Sequence, residues 1–152
     1  GHPSRSRGVY VLEKTVDIAA VCTAGGISAL TAADIIQAID VPAEVYIIHA
    51  GVEVITALNG TTPTLDVDFA AGDDFVDGFD ATGTGYAAAG TNGHVDYTAV
   101  TTFSNRVTAT DTIDIKVNAG ANDVSTGKIR VYAILADISG IDETDSLQAV
   151  TF

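Results

Sequence analysis

The chain has 152 residues, of which 47% are hydrophobic and only 18% are charged. This length suits one domain, with enough apolar side chain for a core that needs no disulfide or metal to hold it together. The formal net charge is −13, and so acidic a body repels nucleic-acid phosphate. The composition therefore argues against DNA or RNA as a partner, and also against long disordered stretches.

The charge is distributed unevenly along the chain. Residues 1–14 hold three of the seven basic side chains but one of the twenty acidic ones. Residues 1–8 are polar, end in glycine and show no periodicity, which is typical of a flexible arm. We therefore predict an N-terminal arm at residues 1–8 and one domain at residues 9–152. Because no apolar run approaches the roughly 20 residues of a membrane helix, we expect no membrane partner.

From residue 8 onward, short apolar and threonine-rich runs alternate with Gly, Asn and Asp turns, a pattern typical of strands. Residues 8–17 predict the first strand. Residues 17–30 are ambiguous, but the glycine pair at 25–26 breaks a helix and favours a turn or a wide loop. The next segment carries both helix and strand signals, and we favour a strand over residues 34–41, since Pro42 ends it and a strong strand follows.

Residues 45–57 carry the clearest strand signal. The even positions from 46 to 54 are all apolar, so we expect the even-numbered face to cover the core. These positions are Tyr46, Ile48, Ala50, Val52 and Val54. Asn59-Gly60 predicts a tight turn, and Pro63 opens a strand over residues 64–69, in which apolar and acidic positions alternate.

The second half of the chain continues the strand pattern. Residues 70–93 are the least regular and predict one short strand or helical turn, and residues 95–108 predict one or two strands. The proposed apolar anchors of the irregular stretch are Phe75, Val76, Phe79 and Tyr86. Residues 112–117 alternate cleanly, whereas residues 128–138 are apolar on both faces and predict a central strand covered on both sides. The predicted fold is therefore all-β: a single-domain antiparallel β-sandwich, jelly-roll-like, with about eight strands.

Six aspartates fall between residues 66 and 80 with no Lys or Arg among them; they are Asp66, Asp68, Asp73, Asp74, Asp77 and Asp80. Carboxylates this close repel one another unless water, protons or a cation intervene. Oxygen ligands of this kind suit Ca²⁺, which makes Asp73, Asp74, Asp77 and Asp80 a weak candidate calcium site, although their spacing matches no EF-hand loop. We favour the simpler interpretation, a solvated acidic loop with no cofactor.

The sequence contains no recognisable catalytic motif. Cys22 is the single cysteine and is interpreted as a small buried thiol, because no histidine lies in a motif with it. His49 and His94 lack the spacing of a metal-ligand set, and neither a phosphate-binding loop nor a nucleophile elbow is present. Paired carboxylates suit glycoside hydrolysis, but a sugar cleft is normally lined with aromatic residues and this chain has no Trp. We therefore predict a non-enzymatic protein.

The order of the segments resembles a known family. It runs from AADIIQAIDVPAEVYIIHAGVEVITA through NGTTPTLDVDF and the acidic DDFVDGFDATGTGY to TDTIDIKV and TGKIRVYAIL. Over about residues 10–138 the chain is similar to small structural proteins of tailed bacteriophages, and it looks most like a capsid decoration (cement) protein. Such proteins are commonly compact β-sandwiches or jelly rolls that sit as trimers on the shell and strengthen it.

The resemblance implies a virion protein on the capsid surface that binds the major capsid protein, forms a homotrimer and stabilises the assembled shell. In that setting Arg5 and Arg7 of the arm, with Val150 and Phe152 of the tail, are the expected contacts to the capsid or to a neighbouring subunit. Two alternatives stay open. A carbohydrate- or receptor-binding module of a head fibre or tail appendage would expose aromatic side chains beside residues 73–80. A tail-tube-type assembly protein would form rings or filaments through its sheet edges.

Overall fold

The computed structural model of the chain describes residues 8–32, 34–69, 75–88, 106–117 and 124–139. Within these ranges the backbone forms one helix and nine strands. In chain order they are β1 (Val9–Asp17), α1 (Ile18–Gly25), β2 (Ile35–Val41), β3 (Val45–Thr56), β4 (Thr64–Phe69), β5 (Val76–Asp80), β6 (Gly85–Ala88), β7 (Arg106–Val107), β8 (Asp111–Val117) and β9 (Lys128–Asp137). In this described part of the chain, no helix is long and apolar enough to cross a membrane.

The strands form two sheets. In the five-stranded sheet β1, β9, β3 and β6 lie side by side, and β7 pairs with the start of β3. In the four-stranded sheet the order is β2, β8, β4 and β5, and every pairing in both sheets is antiparallel. The predicted all-β antiparallel sandwich is confirmed. The first strand pairs with the ninth and the second with the eighth, and the jelly-roll topology stays a prediction.

The core lies between the two sheets and is built from the alternate residues that each strand turns inward. β9 shows this most clearly, since Ile129, Val131, Ala133 and Leu135 are completely buried. Burial of each such aliphatic side chain larger than alanine stabilises the fold by about 1.5–3 kcal/mol. As predicted, β9 is central, because β1 and β3 flank it. The expected cover on both faces is wrong for the described residues, because the residues of β9 that point away from the core stay partly exposed.

The inward-facing positions of β3 change along its length. Val45 and Ile47 are buried at the start, whereas Ala50, Val52 and Val54 are buried further on. The register against β9 shifts between residues 47 and 49, so one extra residue is inserted there as a β-bulge. Because side chains alternate with a period of two, one inserted residue exchanges the two faces. The predicted even-numbered core face is therefore wrong for Tyr46 and Ile48, which are exposed, and correct beyond the bulge.

Helix α1 corrects the expectation of a turn or loop at residues 17–30. The Asp17 carboxylate caps its first turn by accepting from the N–H groups of Ala19 and Ala20, at 3.1 and 3.3 Å. Gly26 ends the helix in the left-handed conformation, with φ of 64°. The glycine pair therefore terminates the helix and does not prevent it. Ile18 and Cys22, one helical turn apart, are buried against the core.

The connection from β3 to β4 crosses from one sheet to the other and does not form the tight hairpin that Asn59-Gly60 predicts. The Asn59 side-chain oxygen accepts from the two backbone N–H groups of residues 125–126, each at 2.8 Å. Next to them, the carbonyl of Gly127 accepts from the N–H of Ile18 at 3.1 Å. Gly127 also approaches the backbone of Leu58 closely. These hydrogen bonds and contacts connect the start of α1, the sheet-to-sheet crossing and the residues that precede β9.

The remaining predictions can be placed briefly. The strands expected at residues 34–41, 64–69 and 112–117 are β2, β4 and β8, and the irregular stretch contains two strands, β5 and β6, where one was expected. Phe75 and Val76 are buried anchors, but Tyr86 is 70% exposed and is not one. Of the strand signal at residues 95–108, β7 accounts for residues 106–107, and residues 95–105 lie outside the described part of the chain.

Candidate functional site

The outer face of the five-stranded sheet is apolar at the end where β1 begins and β9 finishes. Cross-strand registers place Val9 beside Ala136, and Ala136 beside Tyr46. In the next row Val11 lies beside Ile134, which lies beside His49. Val9, Val11, Tyr46 and Ile48 are exposed, and Tyr132 and Ile134 are half-buried between them. We call these six residues the outer apolar patch.

Two local features build this patch. At the bulge of β3 the neighbours Ile48 and His49 are both accessible from the outer side, so the bulge brings an additional large side chain to this face. The His49 ring lies against the ring of Tyr132, with centroids 6.0 Å apart and planes tilted by 43°. Burial, together with the nearby Tyr86 hydroxyl, raises the pKa of Tyr132 above its ordinary value of 10.0. Tyr132 is therefore a neutral, partly dehydrated side chain at neutral pH.

Charged residues surround the patch as ion pairs. Lys128 pairs with Asp17 at 3.5 Å, and Arg106 pairs with Glu44 at 3.2 Å. A third pair joins Arg130 of β9 to Glu53 of β3. All three pairs are partly exposed, so each contributes only about 0–1 kcal/mol to stability. Their main effect is on charge. Together with Glu13 of β1, the described residues of this outer face supply three basic and four acidic side chains, which gives one net negative charge.

The outer face of the four-stranded sheet is acidic. The outward positions of its strands hold six aspartates and one lysine. Of these, Asp40, Asp77 and Asp80 are exposed, Asp114 and Lys116 are half-buried, and Asp66 and Asp68 are buried. Asp66 lies opposite Lys116, and Asp114 accepts a hydrogen bond from the Thr112 hydroxyl at 2.6 Å. The two outer faces of the sandwich thus differ, since one is apolar and nearly neutral and the accessible charged side chains of the other are four aspartates and one lysine.

The interpretation of the whole aspartate cluster as solvated is wrong for Asp66 and Asp68, which are buried. A bulge in β5 lies beside Asp66, because two residues, 77 and 78, oppose this single residue of β4. Gly78 adopts a left-handed φ of 66° there and donates its N–H to the Asp66 carboxylate at 2.9 Å. Asp66 therefore has a structural role in holding β5 against β4.

The candidate calcium ligands are only partly placed. Asp77 and Asp80 are exposed on β5, and Asp73 and Asp74 lie outside the described residues. The Asp80 carboxylate accepts from the Thr82 N–H at 2.8 Å, and hydrogen bonding from Thr82 lowers the pKa of Asp80. Across residues 8–32, 34–69, 75–88, 106–117 and 124–139, no group of three or more His, Cys, Asp or Glu side chains is arranged to hold a metal ion. The calcium site stays a prediction.

The other sequence candidates are placed as follows. Cys22 is buried, with its sulfur 4.0 Å from the carbonyl oxygen of Val124, as expected for a structural thiol. The residues expected to contact the capsid or a neighbouring subunit, Arg5, Arg7, Val150 and Phe152, lie outside the described part of the chain, as does His94.

The aromatic residues near the acidic stretch test the sugar-binding alternative. That alternative expects exposed rings beside residues 73–80. Phe75 is buried and Phe79 packs against the core, while the exposed Tyr86 belongs to the other sheet. The described residues therefore present no aromatic platform at the acidic stretch, which disfavours this alternative.

Sequence reasoning missed the outer apolar patch, although the sequence contained its signal. Residues 128–138 are apolar on both faces, and Val9 and Val11 alternate with Tyr10 and Leu12 in β1. The sequence predicts that both faces of residues 128–138 are covered, and it assigns no face to Val9 and Val11. Only the position of β1 and β9 in the sheet, with nothing packed on their outer side among the described residues, shows that half of these apolar residues face outward.

Comparison with known proteins gives structural but not sequence relatives. No family model matches the chain, and no curated protein is similar to it in sequence. Three solved structures share its fold. A chain of the capsid asymmetric unit of cyanophage Pam1 is 18% identical, with a TM-score of 0.57, and the match covers 90% of this chain and 91% of that chain.

The other two structures are also phage capsids. A chain of the capsid of Ralstonia phage GP4 is 17% identical, with a TM-score of 0.58 and coverage of 90% of this chain and 89% of that one. A chain of the acid-stable capsid of Helicobacter pylori bacteriophage KHP30 is 13% identical, with a TM-score of 0.53 and coverage of 86% and 89%. The structural match extends over nearly the whole of each matched chain, so these chains are close to this one in length.

Proposed function

We propose that this chain is a non-enzymatic structural protein of a bacteriophage virion, located on the capsid surface, where it decorates the assembled shell and stabilises it. The observation that carries the proposal is the fold match to chains of three phage capsids, which extends over 86–90% of this chain. Because the matched chains have nearly the same length, the whole chain, and not one module of it, corresponds to a capsid component.

The surface is consistent with this role. A decoration protein needs a rigid body, one face suited to protein contact and another that keeps the particle soluble. The nearly neutral apolar face of the five-stranded sheet suits the first requirement, and the acidic face of the four-stranded sheet suits the second. Neither requirement involves catalysis, which agrees with the absence of a recognisable catalytic motif from the sequence.

We infer the major capsid protein as the principal partner and a homotrimer as the assembly state. In this arrangement Arg5, Arg7, Val150 and Phe152 extend from the sandwich to the shell or to a neighbouring copy. A segment that orders on contact loses conformational entropy but adds contact area. Many copies bound to one shell raise the apparent affinity further through multivalency.

The proposal is tested by adding the purified protein to shells assembled from the major capsid protein alone. We expect saturable co-sedimentation and a higher temperature of shell opening in the presence of the protein. A variant lacking residues 1–8 should keep the melting temperature of the free protein but bind the shells more weakly. If the intact chain neither binds the shells nor changes the temperature at which they open, the decoration role is wrong.

A further inference from the structure

We propose that the outer apolar patch is the surface through which one copy of this chain binds a second copy. This inference deepens the proposed function, because it names the surface through which neighbouring copies on a shell touch. It rests on the proposed function only in placing that contact on a shell. The contact itself is a property of the free protein and is tested without shells.

The first argument is burial. β9 is the central strand of its sheet, and its outward residues Tyr132 and Ile134 are as apolar as many of its inward ones. Val11 and Ile48 extend the same surface onto the two flanking strands. Strands that are apolar on both faces are typical of sheets covered on both sides. Among the described residues the inner side is covered by the second sheet, and the outer side has no cover from this chain.

Second, the charge of the surface favours a second copy of this chain as the occupant. The chain carries a net charge of −13, so two copies repel each other over most of their surface. The face around the outer apolar patch has one net negative charge, because its basic residues Arg106, Lys128 and Arg130 are each paired with a carboxylate. The faces of neighbouring copies around a three-fold axis therefore meet without strong repulsion. Two copies of the acidic outer face of the four-stranded sheet would repel each other.

The third argument is size. The patch covers three strands spaced about 4.8 Å apart and about five residues of each, a flat footprint of roughly 200 Å². The complete outer face of the sheet, about nine residues long and four strands wide, has a footprint of roughly 500 Å² before side-chain relief is counted. A stable interface buries about 800 Å² per partner. Because side-chain relief adds to the flat footprint, the complete outer face is large enough for most of such an interface. It has an apolar centre and a polar, ion-paired rim, which is the usual anatomy of protein interfaces.

The test is the solution mass of the full chain, measured by light scattering over a dilution series. We expect the homotrimer proposed above for the natural sequence. Ile48→Lys and Val11→Lys should each weaken association by at least about 30-fold, because a buried apolar contact is replaced by a charge that must be dehydrated. Each substitution also lowers the net negative charge, so general electrostatics alone would strengthen association.

The matched control is Ile35→Lys. Ile35 is 52% exposed and Ile48 is 53% exposed, but Ile35 lies on the outer face of the four-stranded sheet. The control should associate like the natural sequence, and the melting temperature of each variant shows whether it is folded. Val11, on the edge strand β1, provides the second variant if Ile48→Lys fails to fold.

Three results would overturn the inference. The first is a monomer at every concentration, and the second is a multimer that both patch variants leave intact. The third is equal dissociation by Ile35→Lys. If the protein is monomeric but Ile48→Lys abolishes its binding to shells, the patch is a shell contact; the self-association is then wrong while the decoration role stands.

Discussion

Replacement of Gly127 by alanine should destabilise the protein more than the same replacement at Gly26. Gly127 has a φ of 128°, outside the range that residues with a side chain normally adopt. An added Cβ would also lie 2.9 Å from the Cα of Leu58 and 3.0 Å from the carbonyl oxygen of Ala57. Both atoms belong to the backbone of the sheet-to-sheet crossing, so a side-chain rotation cannot relieve the contact.

The magnitude follows from three effects. The unfavourable φ costs about 1–2 kcal/mol, and forcing an atom into a packed site costs about 1–3 kcal/mol. Alanine also lowers the conformational entropy of the unfolded chain, which stabilises the folded state by about 0.4–1 kcal/mol relative to glycine. The net loss for Gly127→Ala is therefore about 3 kcal/mol. Gly26 is the matched control, because its φ of 64° is also positive but an added Cβ meets no atom within 4 Å. Gly26→Ala should cost about 1 kcal/mol.

Urea unfolding followed by circular dichroism measures both free energies, and thermal unfolding provides a second reading. For a chain of this size 1 kcal/mol corresponds to about 2–4 °C, so we expect the melting temperature to fall by roughly 6–12 °C for Gly127→Ala and by roughly 2–4 °C for Gly26→Ala. Equal losses for the two variants would refute the reasoning. They would show that the crossing at residues 57–58 relaxes away from residue 127 and that only the backbone angle matters.

Two further predictions concern buried polar groups. Asp66→Ala leaves the N–H of Gly78 without its acceptor and should cost about 1–3 kcal/mol in urea unfolding, whereas the exposed control Asp77→Ala should change stability by less than about 0.5 kcal/mol; similar losses would contradict the structural role of Asp66. The raised pKa of Tyr132 means that the folded state holds the phenolic proton more tightly than the unfolded state. Its contribution to stability is therefore complete below pH 10 and is lost as the pH rises through the folded pKa. Tyr132→Phe should unfold in urea with a shallower alkaline loss of stability than the natural sequence, and an unchanged slope would show that Tyr132 is not the group responsible.

Local sequence patterns determined much of the fold. The alternation in residues 112–117 predicts β8, and its three inward residues are completely buried. The continuous apolar character of residues 128–138 predicts the central position of β9. Such patterns are reliable because one face of a strand packs on the core and the other faces solvent, so apolar and polar residues alternate along its sequence.

Other features depend on partners that are distant in the chain. Helix α1 has eight residues, too few to be stable alone, and it forms because Ile18 and Cys22 are buried in the core. Asp66 and Asp68 are acidic positions of an ordinary alternating strand, and a bulge centred on Gly78 of the next strand changes the surroundings of Asp66. The sequence of β4 contains no trace of that bulge.

The candidate surface shows the same division. The sequence by itself determined that β9 carries apolar residues on both faces and that residues 45–57 form a strand over the core. Only the tertiary structure decided that a bulge before His49 turns Tyr46 and Ile48 outward, beside the outward residues of β9 and β1. The physical reason is that the sequence pattern of apolar residues is the same whether these residues are buried by their own chain or by a second chain. Which of the two occurs depends on the order of the strands and on a one-residue shift in their register.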